Sequence, residues 1–171
     1  MNRAHDSQLS YLVRNASVED LKEILEIYNI AVTSTTASFD LLEQTLESRQ
    51  DWFREHGARH PIIVAEISGR VAGYCSLSRY SKKDGYAKTE ELSVYVREEF
   101  RKRGIASALM KEVIGRAREI GYHAILSMIS SNNYGSLELH KKMGFEYLGE
   151  LREVGFKFDV WQSVSIFELI L

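Results

Sequence analysis

The sequence has very few of the residues that cross-link a fold, restrict its backbone or bind a metal. Cys75 is its only cysteine and Pro61 its only proline among 171 residues. One cysteine cannot form an intrachain disulfide, and neither a C-x-x-C nor an H-E-x-x-H spacing occurs, so we predict no metal site. The sequence also lacks the run of about 18 apolar residues that a membrane-spanning helix needs. An apolar core therefore has to hold the fold.

The chain also has no large excess of either positive or negative charge. The chain has 22 Lys and Arg against 24 Asp and Glu, for a net charge of -2. A nearly neutral protein lacks the electrostatic footprint of nucleic-acid or anionic-membrane binding. The first ten residues are polar and contain no apolar stretch like that of a signal peptide. We therefore predict a cytoplasmic protein with neither a nucleic-acid nor a membrane partner.

The remaining composition is that of an ordinary globular protein. Hydrophobic residues make up 44% of a 19.6 kDa chain and charged residues 27%, which is enough apolar material for one core. No Pro- or Ser-rich linker and no internal repeat divides the chain. We predict one domain over 1–171, in which residues 1–8 form a polar tail.

Apolar periodicity predicts a mixed α/β chain with a β-rich centre. A Ser17-Val-Glu-Asp20 capping box marks the first helix and a Ser68-Gly69 turn marks a hairpin. The order is β-α-α-β-β-β-α-β-α-β-β, with strands over 9–14, 62–67, 71–78, 89–96, 124–129, 147–156 and 164–171 and helices over 21–32, 43–56, 105–121 and 133–143. We expect Leu46, Trp52 and Phe53 to form the buried face of the second helix.

The stretch 93–107, SVYVREEFRKRGIAS, combines a strand end, a basic loop and a helix start. The first turn of a helix has unpaired N–H groups and partial positive charge. Arg101, Lys102 and Arg103 add charge there, and Gly104 lets a ligand approach the backbone. This pattern favours a phosphate or pyrophosphate site, and the alternative is a junction with solvated basic residues. Neither G-x-x-x-x-G-K-[ST] nor G-x-G-x-x-G occurs, so a nucleoside triphosphate or NAD has little support.

The pattern Arg101-x-x-Gly104-x-Ala106 resembles the acetyl-CoA loop, Q/R-x-x-G-x-G/A, of the GNAT superfamily of N-acetyltransferases. After the next strand come Asn132-Asn133 and then His140-x-x-Met143-Gly144-Phe145, which resembles the second signature of that superfamily. Three further stretches resemble its phosphinothricin acetyltransferase branch: TSTTASF at 33–39, Y-x-x-T-x-E-x-S-V-Y-V at 86–96 and G-F-K-F-x-x-W at 155–161. The likeness spans about 10–171.

This resemblance implies a fold, a co-substrate and a reaction. The fold is a central, mostly antiparallel twisted sheet of six to seven strands flanked by about four helices. The enzyme transfers acetyl from acetyl-CoA, without a metal, to the amine of a small amino-acid-like acceptor of the phosphinothricin, methionine sulfone or methionine sulfoximine type. A homodimer is also implied. The residues implied for the cofactor are Lys102, Arg103, Gly104, Ile105, Ala106 and Ser107 for the pyrophosphate, with Val94, Tyr95, Val96 and Asn133 for the pantetheine arm.

Two of these assignments compete with plainer interpretations. The backbone of 94–96 offers hydrogen bonds to pantetheine like an added strand, whereas a V-Y-V run is otherwise a fully paired core strand. Asn133 either binds pantetheine amides or caps the helix that follows it, and the two roles use different atoms.

Glu91 is the residue we expect to act in catalysis. Alternation along the strand places Glu91, Ser93 and Tyr95 on one side, with Tyr95 assignable to core or site. A partly buried carboxylate has a raised pKa, which suits it to take a proton from an ammonium near neutral pH. In the resembling family the matching glutamate is the general base. The alternative is an exposed strand glutamate, which is what we expect of Glu90.

His140 and Cys75 are the other reactive side chains. Where His140 stands, many members of the superfamily carry a tyrosine that protonates the CoA thiolate, and the phosphinothricin branch tends to have histidine. Imidazole can supply that proton, and the alternative is a structural histidine on the helix. Cys75 is expected to be a small buried hydrophobe, since direct attack by an amine needs no enzyme nucleophile.

For the acceptor, the resemblance implies contacts from Phe39, Tyr86 and the loop before Tyr86. Lys83 stands where the branch usually has arginine, and a lysine binds an anionic group as a point charge. Ser163 replaces the aspartate usually found two residues after Trp161. The alternatives are another amine, such as a polyamine, aminoglycoside or protein N-terminus, or a non-catalytic CoA-binding module.

Overall fold

The structure, a computed structural model, describes residues 10–171, and the predicted polar tail and Leu9 lie outside them. Seven strands and four helices follow one another in the order predicted from the sequence. They are β1 (Leu12–Asn15), α1 (Leu21–Ser34), α2 (Leu46–His56), β2 (Ile62–Ile67), β3 (Arg70–Arg79), β4 (Thr89–Val96), α3 (Ile105–Ile120), β5 (Ala124–Ser130), α4 (Tyr134–Lys142), β6 (Glu146–Lys157) and β7 (Val160–Ile170).

Local side-chain chemistry sets several of these boundaries. Before α1, the Ser17 N–H donates to Asp20 Oδ2 at 2.7 Å, as in a capping box. Helix α2 begins at Leu46 rather than at 43, because Thr45 Oγ1 accepts the N–H of Ser48 at 3.1 Å and caps the helix there. Ser68 and Gly69 both have positive φ, 50° and 79°, which matches the type I′ turn of a two-residue hairpin.

The strands form one sheet in the order β1-β2-β3-β4-β5-β7-β6. Every neighbouring pair is antiparallel except β4 and β5, so the predicted mostly antiparallel α/β fold is confirmed. Helix α1 packs Ile24 and Ile27 against Val64 and Tyr74 on one face of the sheet. On the other face, α3 buries a stripe that includes Leu109, Met110 and Val113. Burial of one such side chain stabilises the fold by about 1.5–3 kcal/mol.

Strands β4 and β5 are paired over only part of their length. Their parallel register runs from Thr89 opposite Ala124 to Glu91 opposite Leu126 and stops there. Beyond that point β4 stays paired with β3 up to Val96, while β5 stays paired with β7 up to Ser130. The sheet therefore opens as a wedge between β4 and β5, and one backbone edge of 92–96 has no strand beside it.

No helix within the described part of the chain is long and apolar enough to cross a membrane. Across residues 10–171, no group of three or more His, Cys, Asp or Glu side chains is placed to hold a metal ion.

Candidate active site

The wedge exposes backbone hydrogen-bonding groups of β4 to a ligand. Residues 92–96 pair with β3 alone, so the fully paired strand expected as the plainer alternative is not what the structure shows. At the outer end of this edge, Arg101 Nε donates to Val96 O at 3.1 Å. Val94 and Val96 pack against the core on the α3 side, while Tyr95 lies on the opposite face. An extended ligand lying in the wedge can bind as an added strand.

The N-terminus of α3 is uncapped. Gly104 is the N-cap residue with a φ of 81°, and no side chain caps the first turn, which also has no acidic residue. Ala108 is the first residue of this helix whose N–H reaches a helical acceptor, Gly104 O at 3.0 Å. Lys102 and Arg103 are exposed beside it. Free N–H groups, the positive end of the helix dipole and two basic side chains are the features that favour anion binding.

Glu91 lies at the inner end of the wedge, on the last residue pair that joins β4 to β5. It lies directly opposite Ser78 of β3, on the face of the sheet that α1 and α2 cover. Among the described residues, its carboxylate has no hydrogen bond and no ion pair. Burial raises the pKa of Glu91 above its usual 4.5, as expected from the sequence, and brings the carboxylate closer to the range useful for a general base.

Glu90 is buried, although the sequence predicted an exposed glutamate. Its side chain is only 1% exposed, and Glu90 Oε2 lies 2.6 Å from His60 Nδ1. Burial raises the pKa of Glu90, and the hydrogen bond with His60 opposes that rise. Alternation assigned Glu90 correctly to the face opposite Glu91, but that face is the core beneath α3 rather than solvent.

His140 is enclosed by aromatic rings near the end of α4. It is 2% exposed, with its ring centroid 5.0 Å from that of Phe145 and 6.1 Å from that of Phe167. Its Nδ1–H donates to Ser136 O at 2.8 Å, which leaves the lone pair on Nε2, an atom with no partner in the structure. Burial lowers the pKa of His140 below 6.5, so the ring is neutral at pH 7.

The two asparagines after β5 have different structural roles. Asn133 caps α4 as the sequence allowed, because its Oδ1 accepts the Ser136 N–H at 3.2 Å. Asn132 Oδ1 accepts the Thr36 hydroxyl at 2.8 Å, and its amide donates to Gln162 at 3.1 Å. Asn132 therefore ties the 33–39 segment to the open end of the wedge.

A cavity of about 240 Å³ lies on the Glu91 face, between α2, the 37–40 segment and β3–β4. Its lining is mostly polar: Ser76, Ser78 and Ser93 on the strands, Tyr28 and Tyr95 beside them, and Asp40, Gln44, Ser48, Arg49, Trp52 and Tyr74 completing the wall. Tyr95 belongs to both core and site, since its ring stacks on Tyr74 and its hydroxyl donates to Ala37 O at 3.3 Å.

Sequence reasoning missed most of this cavity wall, Arg49 above all. The predicted buried face of α2 was Leu46, Trp52 and Phe53, yet these three are only partly buried, and the buried residues of the helix are Arg49 and His56. The available signal was spacing, because Arg49 lies three residues from both Leu46 and Trp52 and so shares their face.

None of the three residues predicted to bind the acceptor is part of the wall of this cavity. The Phe39 ring packs on Gly155, where a Cβ would come within 2.7 Å of it, and Lys157 Nζ donates to Ser38 O at 2.6 Å. Tyr86 packs edge-to-face with Tyr80 at 5.4 Å. Lys83 is exposed at the start of a short 3₁₀ turn over Asp84–Tyr86. A larger cleft of about 730 Å³ between α2 and α3 contains none of the predicted site residues.

Several known acetyltransferases are similar to this chain in sequence and fold. The Acetyltransferase (GNAT) family profile matches residues 24–145. An L-methionine sulfoximine/L-methionine sulfone acetyltransferase of Pseudomonas paraeruginosa is 39% identical over 95% of this chain and 96% of its own. A phosphinothricin N-acetyltransferase of Streptomyces coelicolor is 32% identical over 91% of this chain and 94% of its own.

Among solved structures, a GNAT superfamily phosphinothricin acetyltransferase from Sinorhizobium meliloti in complex with AcCoA superposes with a TM-score of 0.91. It is 29% identical, and the match covers 94% of this chain and 88% of that one. The chain therefore belongs to the GNAT family of acetyltransferases. It is an N-acetyltransferase that takes its acetyl group from acetyl-CoA.

Proposed function

We propose that this enzyme acetylates the amine of a small amino-acid-like acceptor of the phosphinothricin, methionine sulfone or methionine sulfoximine type. The observation that carries the proposal is the position of Glu91. Its desolvated carboxylate stands where β4 and β5 part, on the same face of the sheet as a compact polar cavity whose wall includes its strand neighbours Ser78 and Ser93. The wedge suits a thioester arm and the cavity suits a small amine, so the two substrates meet at one carboxylate.

The residues proposed for acetyl-CoA follow the wedge from its mouth inward. The N–H groups of Ile105, Ala106 and Ser107 and the side chains of Lys102 and Arg103 bind the pyrophosphate, with Gly104 leaving space for it. The open backbone edge at Val94, Tyr95 and Val96 binds the pantetheine arm, and the Asn133 side chain or backbone contributes a further hydrogen bond.

In the proposed reaction, Glu91 removes a proton from the acceptor ammonium, through a water molecule. The free amine then attacks the thioester carbonyl, so that an N–C bond forms and the C–S bond breaks. Backbone N–H groups on the open edge of β4 stabilise the negative charge that develops on the carbonyl oxygen. The nitrogen loses its second proton as the C–S bond breaks, and the departing thiolate takes up a proton. The N-acetyl product then leaves with no covalent enzyme intermediate.

His140 is the sequence candidate for returning that proton. The structure favours its structural alternative, because Nδ1–H is committed to Ser136 O and the neutral ring offers only a lone pair at Nε2. A proton can leave from Nε2 only after the ring has gained one, and burial lowers the pKa that governs this step. We propose that His140 holds α4 on the sheet. It could relay a proton only while its ring is transiently protonated.

Two features favour a small zwitterion over the other amines considered. The cavity is only about 240 Å³, which suits an amino acid better than an aminoglycoside or a protein N-terminus. Lys82 and Lys83 are exposed on the loop after β3, and a positive loop repels a polyamine. A non-catalytic CoA-binding module has no need of a desolvated carboxylate such as Glu91, whose ionisation burial disfavours.

A panel of amines tests the acceptor, with release of the CoA thiol as the readout. We expect methionine sulfone, methionine sulfoximine and phosphinothricin to react with higher kcat/KM than spermidine or an aminoglycoside. Lys83→Ala should lower kcat/KM for the favoured acceptors about 10–150-fold, the worth of a charge-assisted hydrogen bond, and leave acetyl-CoA binding unchanged. The matched control is Lys82→Ala, the neighbouring loop lysine.

Faster acetylation of spermidine than of every amino-acid analogue would contradict the proposed acceptor and make Lys83 a solvated loop residue. The class of enzyme would stand. Equal effects of Lys82→Ala and Lys83→Ala would assign the loss to the general charge of the loop.

We also infer a homodimer formed through the β6–β7 hairpin. Strand β6 is a sheet edge, and its exposed apolar side chains continue onto β7: Tyr147, Leu148, Leu151, Val154, Phe156, Val160 and Trp161. Such an exposed apolar edge is otherwise an aggregation hazard. Cytoplasmic location and the lack of nucleic-acid or membrane partners stay predictions from the sequence.

Sedimentation velocity should give twice the 19.6 kDa of one chain at micromolar protein. Val154→Asp, at a residue 55% exposed, should shift the protein toward the monomer. Leu12→Asp, at an apolar residue 58% exposed on the opposite edge of the sheet, should not. A wild-type monomer, or dissociation by Leu12→Asp alone, would exclude this interface.

A further inference from the structure

The guanidinium of Arg49 is buried beside the cavity without a partner. Arg49 is 6% exposed, and its side chain is held between two aromatic rings, with Cζ 4.2 Å from the Tyr28 ring centroid and 4.6 Å from that of Trp52. Its Nε is out of reach of solvent and has no hydrogen-bond acceptor. Within residues 10–171, no carboxylate forms a salt bridge with this group.

A buried cation without an anion is unfavourable, and arginine cannot escape by losing its proton. Cation–π contacts with Tyr28 and Trp52 offset part of the cost but leave the N–H donors unused. The carboxylate in the same cavity, Asp40, is already engaged by the Tyr28 hydroxyl at 2.8 Å and by Gln44 Nε2 at 3.1 Å. The rings fix the guanidinium in place, so the cavity has a rigid, preformed receptor for an anion.

Ser78, on the same cavity wall, is set up for the opposite charge. His56 Nδ1–H donates to Trp52 O at 2.6 Å, so Nε2 carries the lone pair and accepts the Ser78 hydroxyl at 3.0 Å. With its proton committed to His56, Ser78 Oγ offers only lone pairs to the cavity. Because Ser78 lies directly opposite Glu91, these two acceptors of positive charge are grouped on β3 and β4, whereas Arg49 lies on α2.

We propose that Arg49 binds the α-carboxylate of the acceptor, while Glu91 and Ser78 receive its ammonium. This inference rests on the proposed function and deepens it, because it assigns the class of substrate to α-amino acids as zwitterions. The planar guanidinium matches a carboxylate with two parallel hydrogen bonds, which a point charge cannot do. Arg49 is a binding residue and takes no part in proton transfer.

The test compares two acceptors that differ only in this group, methionine sulfone and methionine sulfone α-amide. Wild-type enzyme should prefer the acid by about 10–150-fold in kcat/KM, the effect of a charge-assisted hydrogen bond. Arg49→Gln should reduce that preference to within about threefold, mainly through KM, and Arg49→Lys should restore part of it. The ratio is measured within one preparation, so loss of folded enzyme cancels. Arg54→Gln, on the exposed side of the same helix, is the matched control.

Two other results would overturn the inference, and a third calls for a binding measurement. If Arg49→Gln keeps the acid-to-amide ratio but loses the preference for methionine sulfone over methionine, Arg49 binds the sulfone end of the acceptor. If neither ratio changes while wild-type enzyme acetylates amino acids, Arg49 is a structural cation and the proposed function stands. If the wild-type enzyme acetylates no amino acid, the proposed acceptor is wrong, and a calorimetric titration of methionine sulfone in the presence of CoA still decides the inference: binding abolished by Arg49→Gln supports it, and no binding rejects it.

Discussion

Replacing Glu91 with glutamine should lower kcat by about 10²–10⁴, the usual loss when a general base is removed. The KM for acetyl-CoA should change little, since Glu91 stands at the inner end of the wedge and away from the uncapped start of α3. Glutamine keeps the size of the side chain but cannot take a proton from the acceptor ammonium. Steady-state kinetics at saturating acetyl-CoA measures the effect directly.

The pH dependence gives this prediction a second readout. Burial raises the pKa of Glu91 above 4.5 in the folded enzyme, so activity should rise with pH through that raised value. The stability of the folded enzyme should instead fall as the pH rises through this range. As pH rises past 4.5 the unfolded chain loses its proton first, and the folded state is destabilised until its own raised pKa is passed. Glu91→Gln should remove this part of the pH dependence of stability.

Glu90→Gln is the neighbouring control. Its side chain faces the core and is paired with His60, so the change should alter the melting temperature and leave kcat nearly intact. Equal small losses of kcat from both substitutions would assign the base elsewhere, with His140 as the next candidate.

Gly104→Asp should weaken acetyl-CoA binding by about 100-fold or more. Gly104 has a φ of 81°, where any side chain is strained. A carboxylate at this helix start would also take the space of a bound phosphate and repel its negative charge. Each charge-assisted hydrogen bond that the phosphate loses is worth about 1.5–3 kcal/mol of binding free energy. Calorimetric titration of acetyl-CoA into both proteins measures the loss.

Gly115→Asp, on the same helix and with nothing within 4 Å of the added Cβ, should bind acetyl-CoA like the wild type. Unchanged micromolar binding by Gly104→Asp would mean that the pyrophosphate lies elsewhere. A wild-type protein that binds no acetyl-CoA would contradict the site itself.

Strand positions were predictable where turn-forming residues mark the ends of a strand in the sequence. The β-branched run of β2 is bounded by Pro61 and by the Ser68-Gly69 turn, and the structure places the strand at Ile62–Ile67 as predicted. The start of α3 at Ile105 was also predictable, because a glycine beside three basic residues is a local pattern. Such features depend on neighbours within a few residues.

Glu90 was misjudged and Arg49 was missed for the opposite reason. Alternation and helical spacing state which side of an element a residue faces, but not what covers that side. The core beneath α3 encloses Glu90, and two aromatic rings enclose Arg49, through contacts between elements distant in sequence. The parting of β4 from β5 is likewise a matter of register between strands and leaves no local signal.

The acceptor side of the site is held by hydrogen bonds between segments that lie far apart in the sequence. Lys157 holds Ser38 across 119 residues, and Asn132 holds Thr36 across 96. The proposed anion site at the start of α3, by contrast, is made from adjacent residues. The cavity wall itself, formed within 28–95, is therefore synthesised before Asn132 and Lys157, which fix the 36–38 segment beside it. Contacts of such long separation form late, so substitutions near Gly155 and Lys157 should reshape acceptor choice without disturbing the cofactor.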